Sequence, residues 1–313
     1  MAVTPESLGV HVLNVGDGDA IVLQFPEVGG KRKYAVVDCY SSKKMLDYLG
    51  VNKLNVQELE FVCATHPHYD HIAGIPSLLT AFKGRIREYW DCGFRHTSLT
   101  YEKVIDLVNQ DTNIRFFRVT SGVERIINGV KVSVIAPSIY LRNRYDTYGV
   151  DINNASIVLK LEHKAPTATK PFVMVLGGDA QFLSWSKVLE EYPNYKKTEN
   201  PEQRIQVAEP FNPLNCQVLK VSHHGSKHGT ALEYVETLDP EYAIVSCSSS
   251  STYGFPHEIA LLSLMEETDR ILFTDYSTAG KTRSGTTVAV SKGTDVPDII
   301  SGGEERTAMA SPP

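Results

Sequence analysis

Apolar runs and amphipathic segments alternate along the whole chain. Runs of about four to eight apolar and β-branched residues predict strands, and apolar residues that recur about every three or four positions predict helices. In the first half, strands are predicted at 10–15, 20–25, 34–39, 59–65 and 86–90, and helices in SKKMLDYLG, IPSLLTAF and TYEKVIDLVNQ. Strands that alternate with helices in this way are typical of an α/β fold.

The second half of the chain has the same kind of layout. Its predicted strands are VKVSVIAP, ASIVLKLE, PFVMVLGGD, CQVLKVSHHG, YAIVSCS, ILFTD and TTVAVS, and its predicted helices are FLSWSKVLEEY, TALEYVETL and HEIALLSLMEE. The polar segment 193–215 predicts a surface insertion, and the composition of 293–313 predicts a mobile C-terminal tail. No segment between the halves has the composition of a linker, so we expect a single domain over 1–292, an α/β layered sandwich.

Length and composition are those of an ordinary globular protein. The 313 residues, 42% of them hydrophobic, can bury a sizeable core. The net charge of −6 provides no overall attraction to nucleic acid or to anionic membranes. The start MAVTPESLGV lacks the basic and apolar regions of a signal peptide, and no stretch approaches the ~18 apolar residues of a membrane span. We therefore predict a cytoplasmic protein without a membrane partner.

The cysteines predict buried, reduced thiols rather than a disulfide framework. They are odd in number and scattered, they form no CxxC pair, and most lie in apolar runs such as FVCAT and AIVSCS. Cysteines in such runs usually behave as small apolar core residues. The five cysteines are Cys39, Cys63, Cys92, Cys216 and Cys247.

Side chains that bind metal follow several of the predicted strands. THPHYDHIAG, residues 65–74, comes directly after an apolar run and contains three histidines and an aspartate. A lone HxH pair would be weak, but HxHxDH after one strand, GGD after a second and HHG after a third form a strong joint signal. The metal-ligand types at strand ends are Asp38, His66, His68, Asp70, His71, Asp179, His223, His224 and His257.

This set of side chains predicts a site for two divalent ions. Imidazole nitrogens and carboxylate oxygens hold zinc-like ions at about 2.0–2.2 Å. Two ions roughly 3.5–4 Å apart need about six or seven protein ligands, one of them bridging, and the chain supplies that number. Zinc is the favoured ion. A polar loop that is merely rich in histidine is the competing interpretation.

Beyond single residues, four segments resemble the motifs of a known family, the metallo-β-lactamase-fold hydrolases. NVGDGDAIVLQF, YAVVDC, LKVSHHGSKHG and STYGFPHEIALLSL are most similar to the ComEC-type cytosolic hydrolase domain branch, and bacterial phosphorylcholine esterases share a similar motif set. The resemblance extends over about residues 8–290. It implies an αββα four-layer sandwich with a two-metal site between the sheets.

Carried over residue by residue, the resemblance implies two sets of metal ligands. His66 and His68 resemble ligands of the first ion. Asp70 and His71 resemble ligands of the second ion, and Asp179 would bridge the two. The resemblance therefore implies that two strand ends, one in each half of the chain, supply most of the ligands.

The HHG segment and one departure from the family pattern leave two questions open. His223, nearer the strand end, is favoured as a ligand of the second ion, and His224 is the other candidate ligand or a substrate contact. Asp38 resembles an aspartate that orients the metal loop through hydrogen bonds. Asn153 and Asn154 stand where the family commonly has a further histidine, so the first ion would be held more weakly or be a harder ion such as manganese.

The same resemblance implies metal-assisted hydrolysis by a hydroxide bound to two ions. Asp70 and Asp179 would position this nucleophile, and His224 or His257 would protonate the leaving group. His257 precedes a predicted helix, so a capping role is the alternative for that residue. The motifs favour a phosphodiester substrate, which predicts a phosphodiesterase or nuclease acting on DNA, RNA or a cyclic nucleotide.

Two other functions and the surroundings of the site stay open. The motif order also allows a lactam, lactone or thioester as substrate, and a catalytically inert binding module is the third candidate. Asp17 and Asp19 either cap a turn or lie beside the site. Basic residues either are solvated or form a phosphate-facing rim; they are residues 31–33, Arg142, Arg144, Lys227, Lys281 and Arg283. The pattern does not predict an oligomeric state.

Overall fold

The first six strands form most of one eight-stranded sheet. This computed structural model describes residues 3–145, 150–194, 212–278, 281–301 and 305–306. In this first sheet, neighbours from β1 to β3 are antiparallel and neighbours from β3 to β6 are parallel. The strands are β1 (Leu8–Val12), β2 (Ala20–Val28), β3 (Lys31–Cys39), β4 (Leu59–Ala64), β5 (Ile86–Asp91) and β6 (Arg115–Arg118).

The next seven strands form most of a second eight-stranded sheet. Its neighbours are antiparallel from β7 to β10 and parallel from β10 to β13. The strands are β7 (Glu124–Ile127), β8 (Val130–Ala136), β9 (Val158–His163), β10 (Phe172–Leu176), β11 (Val218–Lys220), β12 (Tyr242–Val245) and β13 (Ile271–Phe273).

The last strands complete both sheets. β14 (Asp275–Thr278) and β15 (Lys281–Ser284) form a separate hairpin. β16 (Thr287–Ser291) and β17 (Asp298–Ser301) extend the first sheet beside β1, and β18 (Glu305–Arg306) pairs with β13. β17 and β18 lie within the segment predicted as a tail, and the single-domain boundary stays a prediction. Residues 195–211 of the predicted insertion lie outside the described residues.

Helices cover the outer face of each sheet. Serine side chains accept hydrogen bonds from backbone N–H groups at the starts of α1 and α4, which satisfies helix-end donors there. Gly50 follows the last residue of α1. The helices are α1 (Ser42–Leu49), α2 (Tyr69–Ile72), α3 (Ile75–Ala81), α4 (Leu99–Gln110), α5 (Ile139–Arg142), α6 (Phe182–Glu191), α7 (Leu232–Leu238) and α8 (Glu258–Glu267).

Both sheets are buried on both faces, which explains their near-continuous apolar runs. In β3, Ala35 and Val37 face the second sheet, while Val36 packs against α1 and α3. In β10, Met174 faces the first sheet, while Val175 packs against α6 and α7. The layers are therefore helices, sheet, sheet and helices, and the predicted αββα sandwich is confirmed.

The cysteines and the helices bear on two further predictions. All five cysteines are free and buried, as the sequence predicts. Within the described segments, no helix is long and apolar enough to cross a membrane. The cytoplasmic location stays a prediction.

Candidate metal centre

The predicted site residues follow four strands that end at one edge of the sandwich. β3 and β4 are parallel neighbours in the first sheet, and β10 and β11 are parallel neighbours in the second. The carboxyl ends of parallel neighbours meet at the same edge, where ligand sites of α/β proteins usually lie. The topology thereby brings ligand-type residues from both halves of the chain together.

Asp38 holds the histidine loop in place. Its Oδ1 accepts a hydrogen bond from the Thr65 N–H at 2.8 Å, and its Oδ2 accepts one from the Thr65 hydroxyl at 2.6 Å. His71 Nδ1–H donates to the same Oδ2 at 2.7 Å. Asp38 is fully buried and has a left-handed backbone, with φ of 56°. These are the contacts of a residue that orients the loop, as the family resemblance implies.

Hydrogen bonds to Nδ1 fix the orientation of three imidazoles. The Thr65 hydroxyl donates to Asp38, so it accepts from His66 Nδ1–H at 3.2 Å. His224 Nδ1–H donates to the Ser246 carbonyl oxygen at 2.9 Å. With Nδ1 of His66, His71 and His224 each a donor, the neutral form of each ring carries its lone pair on Nε2.

Two glycines bring Asp179 to the middle of the cluster. A Cβ on Gly177 would lie 2.2 Å from the Ser222 hydroxyl oxygen, and Gly178 has a φ of +51° that side chains rarely adopt. The Asp179 N–H then donates to the Ser156 hydroxyl at 3.2 Å. The two glycines of the GGD sequence therefore allow the chain after β10 to pass close to Ser222, which follows β11.

The two oxygens of Asp179 face two different groups of histidines. Oδ1 lies 3.2 Å from His71 Nε2 and 3.6 Å from His224 Nε2. Oδ2 lies 3.8 Å from His66 Nε2 and 3.8 Å from His223 Nε2. A carboxylate with its two oxygens turned toward separate nitrogen sets has the geometry of a bridging ligand.

His223 and His224 project in different directions because their backbone is unusual. Both have left-handed backbones, with φ of 49° and 54°, in a 3₁₀ turn over Ser222–Gly225. Such a conformation costs about 1–2 kcal/mol per residue and occurs where function requires it. His224 is fully buried and aims Nε2 at Asp179, whereas His223 lies at the wall of the adjoining cavity.

Four ligand-type side chains converge in one group. One oxygen or nitrogen from each of Asp70, His71, Asp179 and His224 lies within 4.8 Å of all the others. The sequence favoured His223 for this group, and the geometry favours His224. Among the buried atoms without a hydrogen-bond partner in the described structure, four belong to this cluster, namely His66 Nε2, His71 Nε2, Asp179 Oδ1 and His224 Nε2. Buried polar atoms rarely lack partners, so this cluster fits a cation as the missing partner.

The electrostatics of the group fit the same interpretation. Burial raises the pKa of Asp179, but His71 and His224 outweigh this effect and hold that pKa well below its ordinary value. Burial lowers the pKa of His71, but Asp179 and Asp38 hold it well above its ordinary value. A proton on His71 and a divalent cation would therefore compete for the same position.

The remaining predicted residues occupy separate positions. His68 begins α2, and its ring lies 4.7 Å from that of His66, measured between centroids. His257 lies just before α8, where its Nδ1 accepts a hydrogen bond from the Lys227 N–H at 3.0 Å. The Phe255 ring contacts both His257 and His223, with centroids 5.3 and 5.5 Å away. His68 thus lies beside His66 at the cluster, whereas His257 is not among the described residues that line the adjoining cavity.

Sequence reasoning missed one buried ion pair beside the cluster. Lys220, at the end of β11, is fully buried and donates a hydrogen bond to Asp19 Oδ2. Asp19 Oδ1 lies 3.9 Å from His224 Nδ1, and the Asp19 N–H donates to the Asp70 carbonyl at 3.2 Å. The signal in the sequence was a lysine within an otherwise apolar strand. The sequence analysis considered Asp19 beside the site but did not identify Lys220 as the residue that pairs with it.

An open cavity of about 740 Å³ leads to the cluster. Its lining includes two pairs of aromatic rings in contact, Tyr40 with Tyr69 and Tyr253 with Phe255. The outer rings are unusually exposed for aromatic side chains, at 67% for Tyr69 and 69% for Tyr253. Asp17 also lines this cavity. The volume is within the range of about 300–1,000 Å³ typical of small-molecule sites.

The basic residues considered in the sequence are not among the described residues that line the cavity. Arg32 donates to the Thr4 carbonyl, and Lys33 pairs with Glu60 at 3.0 Å. Arg142 donates to the Arg118 carbonyl at 3.0 Å. The side chains of residues 281 and 283 lie outside the described part of the structure.

Comparisons with known proteins agree with the motifs. The family model described as "Metallo-beta-lactamase superfamily" matches residues 14–123. ComE operon protein 3 of Bacillus subtilis (strain 168) is 25% identical over 283 residues, which are 86% of this chain and 32% of that protein. Hydroxyacylglutathione hydrolase of Vibrio parahaemolyticus serotype O3:K6 (strain RIMD 2210633) is 45% identical over 51 residues, which are 16% of this chain and 19% of that protein.

Solved structures include a similar chain. The metallo-beta-lactamase fold protein YhfI from Bacillus subtilis is 12% identical, with a TM-score of 0.46, over 88% of this chain and 98% of that chain. The present chain spans only about a third of ComE operon protein 3, covering 32% of its length. The family model and the match to ComE operon protein 3 confirm the family resemblance inferred from the motifs.

Proposed function

We propose that this chain, which carries a metallo-beta-lactamase superfamily domain, is a metal-dependent phosphodiesterase that hydrolyses small phosphodiesters. The observation that carries the proposal is the set of four buried, unpartnered nitrogen and oxygen atoms around Asp179. Such a set is costly in a folded protein unless a cation satisfies it. The donor types, imidazole and carboxylate, suit zinc and manganese.

The donor geometry supports a particular distribution of two ions. Asp70, His71 and His224 would hold the second ion together with Asp179 Oδ1. His66 and His68 would hold the first ion together with Asp179 Oδ2, and His224 replaces the favoured His223 in the second set. Ions bound there would supply a hydroxide nucleophile at neutral pH and would stabilise charge on the reacting phosphoryl group.

Residues of this chain would orient and protonate the substrate. Asp70 and Asp179 carry the negative charge that positions the nucleophile. His223 Nε2 lies at the cavity wall 3.8 Å from Asp179 Oδ2, so we assign it, rather than His257, to contact the phosphoryl group or the leaving oxygen. A general acid must come within hydrogen-bond reach of the leaving group, and His257, unlike His223, is not among the described residues that line the cavity.

The charge of the cavity favours a phosphodiester over an acyl substrate. A β-lactam or a glutathione thioester carries a carboxylate away from the bond that breaks, and a cationic side chain is the usual partner for such a group. None of the described residues lining the cavity is lysine or arginine. A phosphodiester instead places its single charge at the metal ions, so it needs no further cation.

The same argument favours a small substrate over a long nucleic acid. Proteins that bind DNA or RNA chains neutralise several phosphates with lysine and arginine. The described mouth of this cavity instead contains Asp17 and the exposed rings of Tyr69 and Tyr253. Aromatic rings bind a planar base or another apolar group by stacking. A cyclic nucleotide or dinucleotide fits this chemistry better than a polymer.

Hydrolysis of bis-(p-nitrophenyl) phosphate with added zinc or manganese tests the proposal. We expect turnover that chelation removes and that Asp179→Ala abolishes together with metal binding, while circular dichroism shows the sheets intact. The exposed Asp47→Ala on α1 is the matched control and should retain the parent rate. Parent-rate hydrolysis by Asp179→Ala would contradict the two-ion site.

A second candidate function is thioester hydrolysis. The short match to hydroxyacylglutathione hydrolase favours it, since that protein's name describes a thioester substrate. Metal binding without phosphodiester turnover, combined with hydrolysis of an acylglutathione, would select this candidate. A chain that binds neither metal nor substrate would instead support a binding module.

A further inference from the structure

We propose that the side-chain oxygen of Asn153 is a ligand of the first ion and gives that position a preference for manganese over zinc. The inference rests on the two-ion site of the proposed function. It concerns a residue that stands where the related hydrolases commonly have a histidine. It also explains a buried polar atom that nothing else in the described structure satisfies.

Asn153 is buried and its oxygen has no partner. The residue is 6% exposed and lies in a 3₁₀ turn, Ile152–Ala155, where its N–H donates to the Asp151 carboxylate at 2.8 Å. Its Oδ1 has no hydrogen-bond partner among the described residues. An unsatisfied buried amide costs roughly 1–3 kcal/mol, so a partner for this oxygen is expected.

The position of this turn is fixed relative to the ligand set. The Ser156 hydroxyl accepts from the Asp179 N–H at 3.2 Å, and the Ile157 N–H donates to the Thr65 carbonyl at 2.9 Å. These two bonds connect the turn to both strand ends that supply the first ion. Asn153 lines the same cavity as His68 and Asp179.

The neighbouring asparagine shows that this role is specific to Asn153. The Oδ1 atom of Asn154 accepts a hydrogen bond from the Ser184 N–H at 2.9 Å, which connects the turn to α6. Asn154 is equally buried, at 6% exposed, but its oxygen is satisfied. Of two adjacent and identical side chains, only one has an oxygen that lacks a protein partner.

An amide oxygen changes the ion that the first position prefers. His66, His68, Asp179 Oδ2 and the hydroxide nucleophile would complete a four-coordinate site of the kind that zinc prefers, and Asn153 Oδ1 would add a fifth ligand. A neutral carbonyl oxygen is a hard donor, which suits manganese or magnesium better than zinc. A histidine at the same place would favour zinc.

An equilibrium binding experiment with Mn²⁺ tests the inference. The full chain is first stripped of metal, and the free Mn²⁺ is then measured by electron paramagnetic resonance. The parent should bind about two ions. Asn153→Leu, which keeps the branched shape of the side chain and removes the ligand oxygen, should weaken one of them about tenfold or more and leave the other unchanged. Asn153→His should shift the same position toward Zn²⁺ in a competition titration, a result that does not depend on the leucine variant folding.

The control variant is Asn154→Asp, which keeps an acceptor for the Ser184 N–H and should bind both ions like the parent. Two Mn²⁺ ions bound by Asn153→Leu at the parent affinity would overturn the inference while leaving the two-ion site intact. Loss of one ion in His223→Ala, with Asn153→Leu unaffected, would overturn it in favour of His223. A parent chain that binds no ion would overturn this inference and the proposed function together.

Discussion

Replacing Lys220 by methionine isolates the energy of the buried ion pair behind the metal cluster. Lys220 and Asp19 have side chains that are 0% and 1% exposed, and they join β11 of the second sheet to the loop between β1 and β2 of the first. Methionine matches the length of the lysine stem but leaves the Asp19 carboxylate buried without a cation. Breaking a buried pair in this way costs about 3–5 kcal/mol.

That loss is large compared with a typical total stability of roughly 5–15 kcal/mol. For a chain of 313 residues it corresponds to a fall in Tm of about 5–8 °C. Asp19→Asn combined with Lys220→Met removes both charges, so the double variant should be more stable than Lys220→Met alone. Burial raises the pKa of Asp19, but Lys220 and His224 outweigh it and the net pKa lies below its ordinary value, consistent with an ionised partner at pH 7.

Urea unfolding at pH 7, followed by circular dichroism, measures all four members of this double-mutant cycle. The cycle isolates the energy of the pair from the effects of each substitution. If the free energy of unfolding of Lys220→Met lies within about 1 kcal/mol of that of the parent, the reasoning is refuted, because a buried carboxylate without a partner should destabilise the fold by more than that. Additive effects of the two substitutions would refute it equally, because they would show that the charges do not interact.

Two further predictions concern Asp38 and His11. Asp38→Asn should weaken metal binding about 10–100-fold in calorimetric titration without unfolding the sheets, because it disturbs the acceptors of Thr65 and His71. Burial lowers the pKa of His11 to about 4, so the unfolded chain takes up its proton first as pH falls. Stability should therefore drop by up to ~3 kcal/mol between pH 6.5 and 4, and His11→Gln should lose this component in urea titrations.

Much of the site could be predicted because strand pattern and ligand chemistry point to the same places. Asp38, His66 and Asp179 each follow an apolar run of a buried strand, and parallel strands bring their carboxyl ends to one edge. Pattern is informative here because both sheet faces are buried, so a polar residue at the strand end is conspicuous. The same reasoning missed β6 and β7, since RFFR and ERII are short and partly exposed at the sheet edges.

The choice between His223 and His224 could not come from the pattern. Sequence position suggested that the residue nearer the strand end would be the ligand. The two consecutive left-handed backbones reverse this expectation, because they turn His224 inward and His223 toward the cavity. Non-glycine residues adopt such conformations rarely, and no local propensity predicts two in succession. The tertiary contacts of the turn, including the His223 N–H bond to the Gly178 carbonyl at 2.9 Å, impose the conformation.

The cluster and the closure of the two sheets depend on each other. Asp179 belongs to the second sheet, but its two oxygens face His66 and His71 of the first, and the Ser246 hydroxyl donates to the Gly18 carbonyl across the same gap at 2.7 Å. The set of ligands therefore exists only when the sheets have packed. Ions that bind this set and not the unfolded chain would add stability, about 2.7 kcal/mol at a free concentration one hundred times Kd. Metal binding would thus stabilise the contact between the sheets as well as supply the chemistry, since the same strand ends carry both.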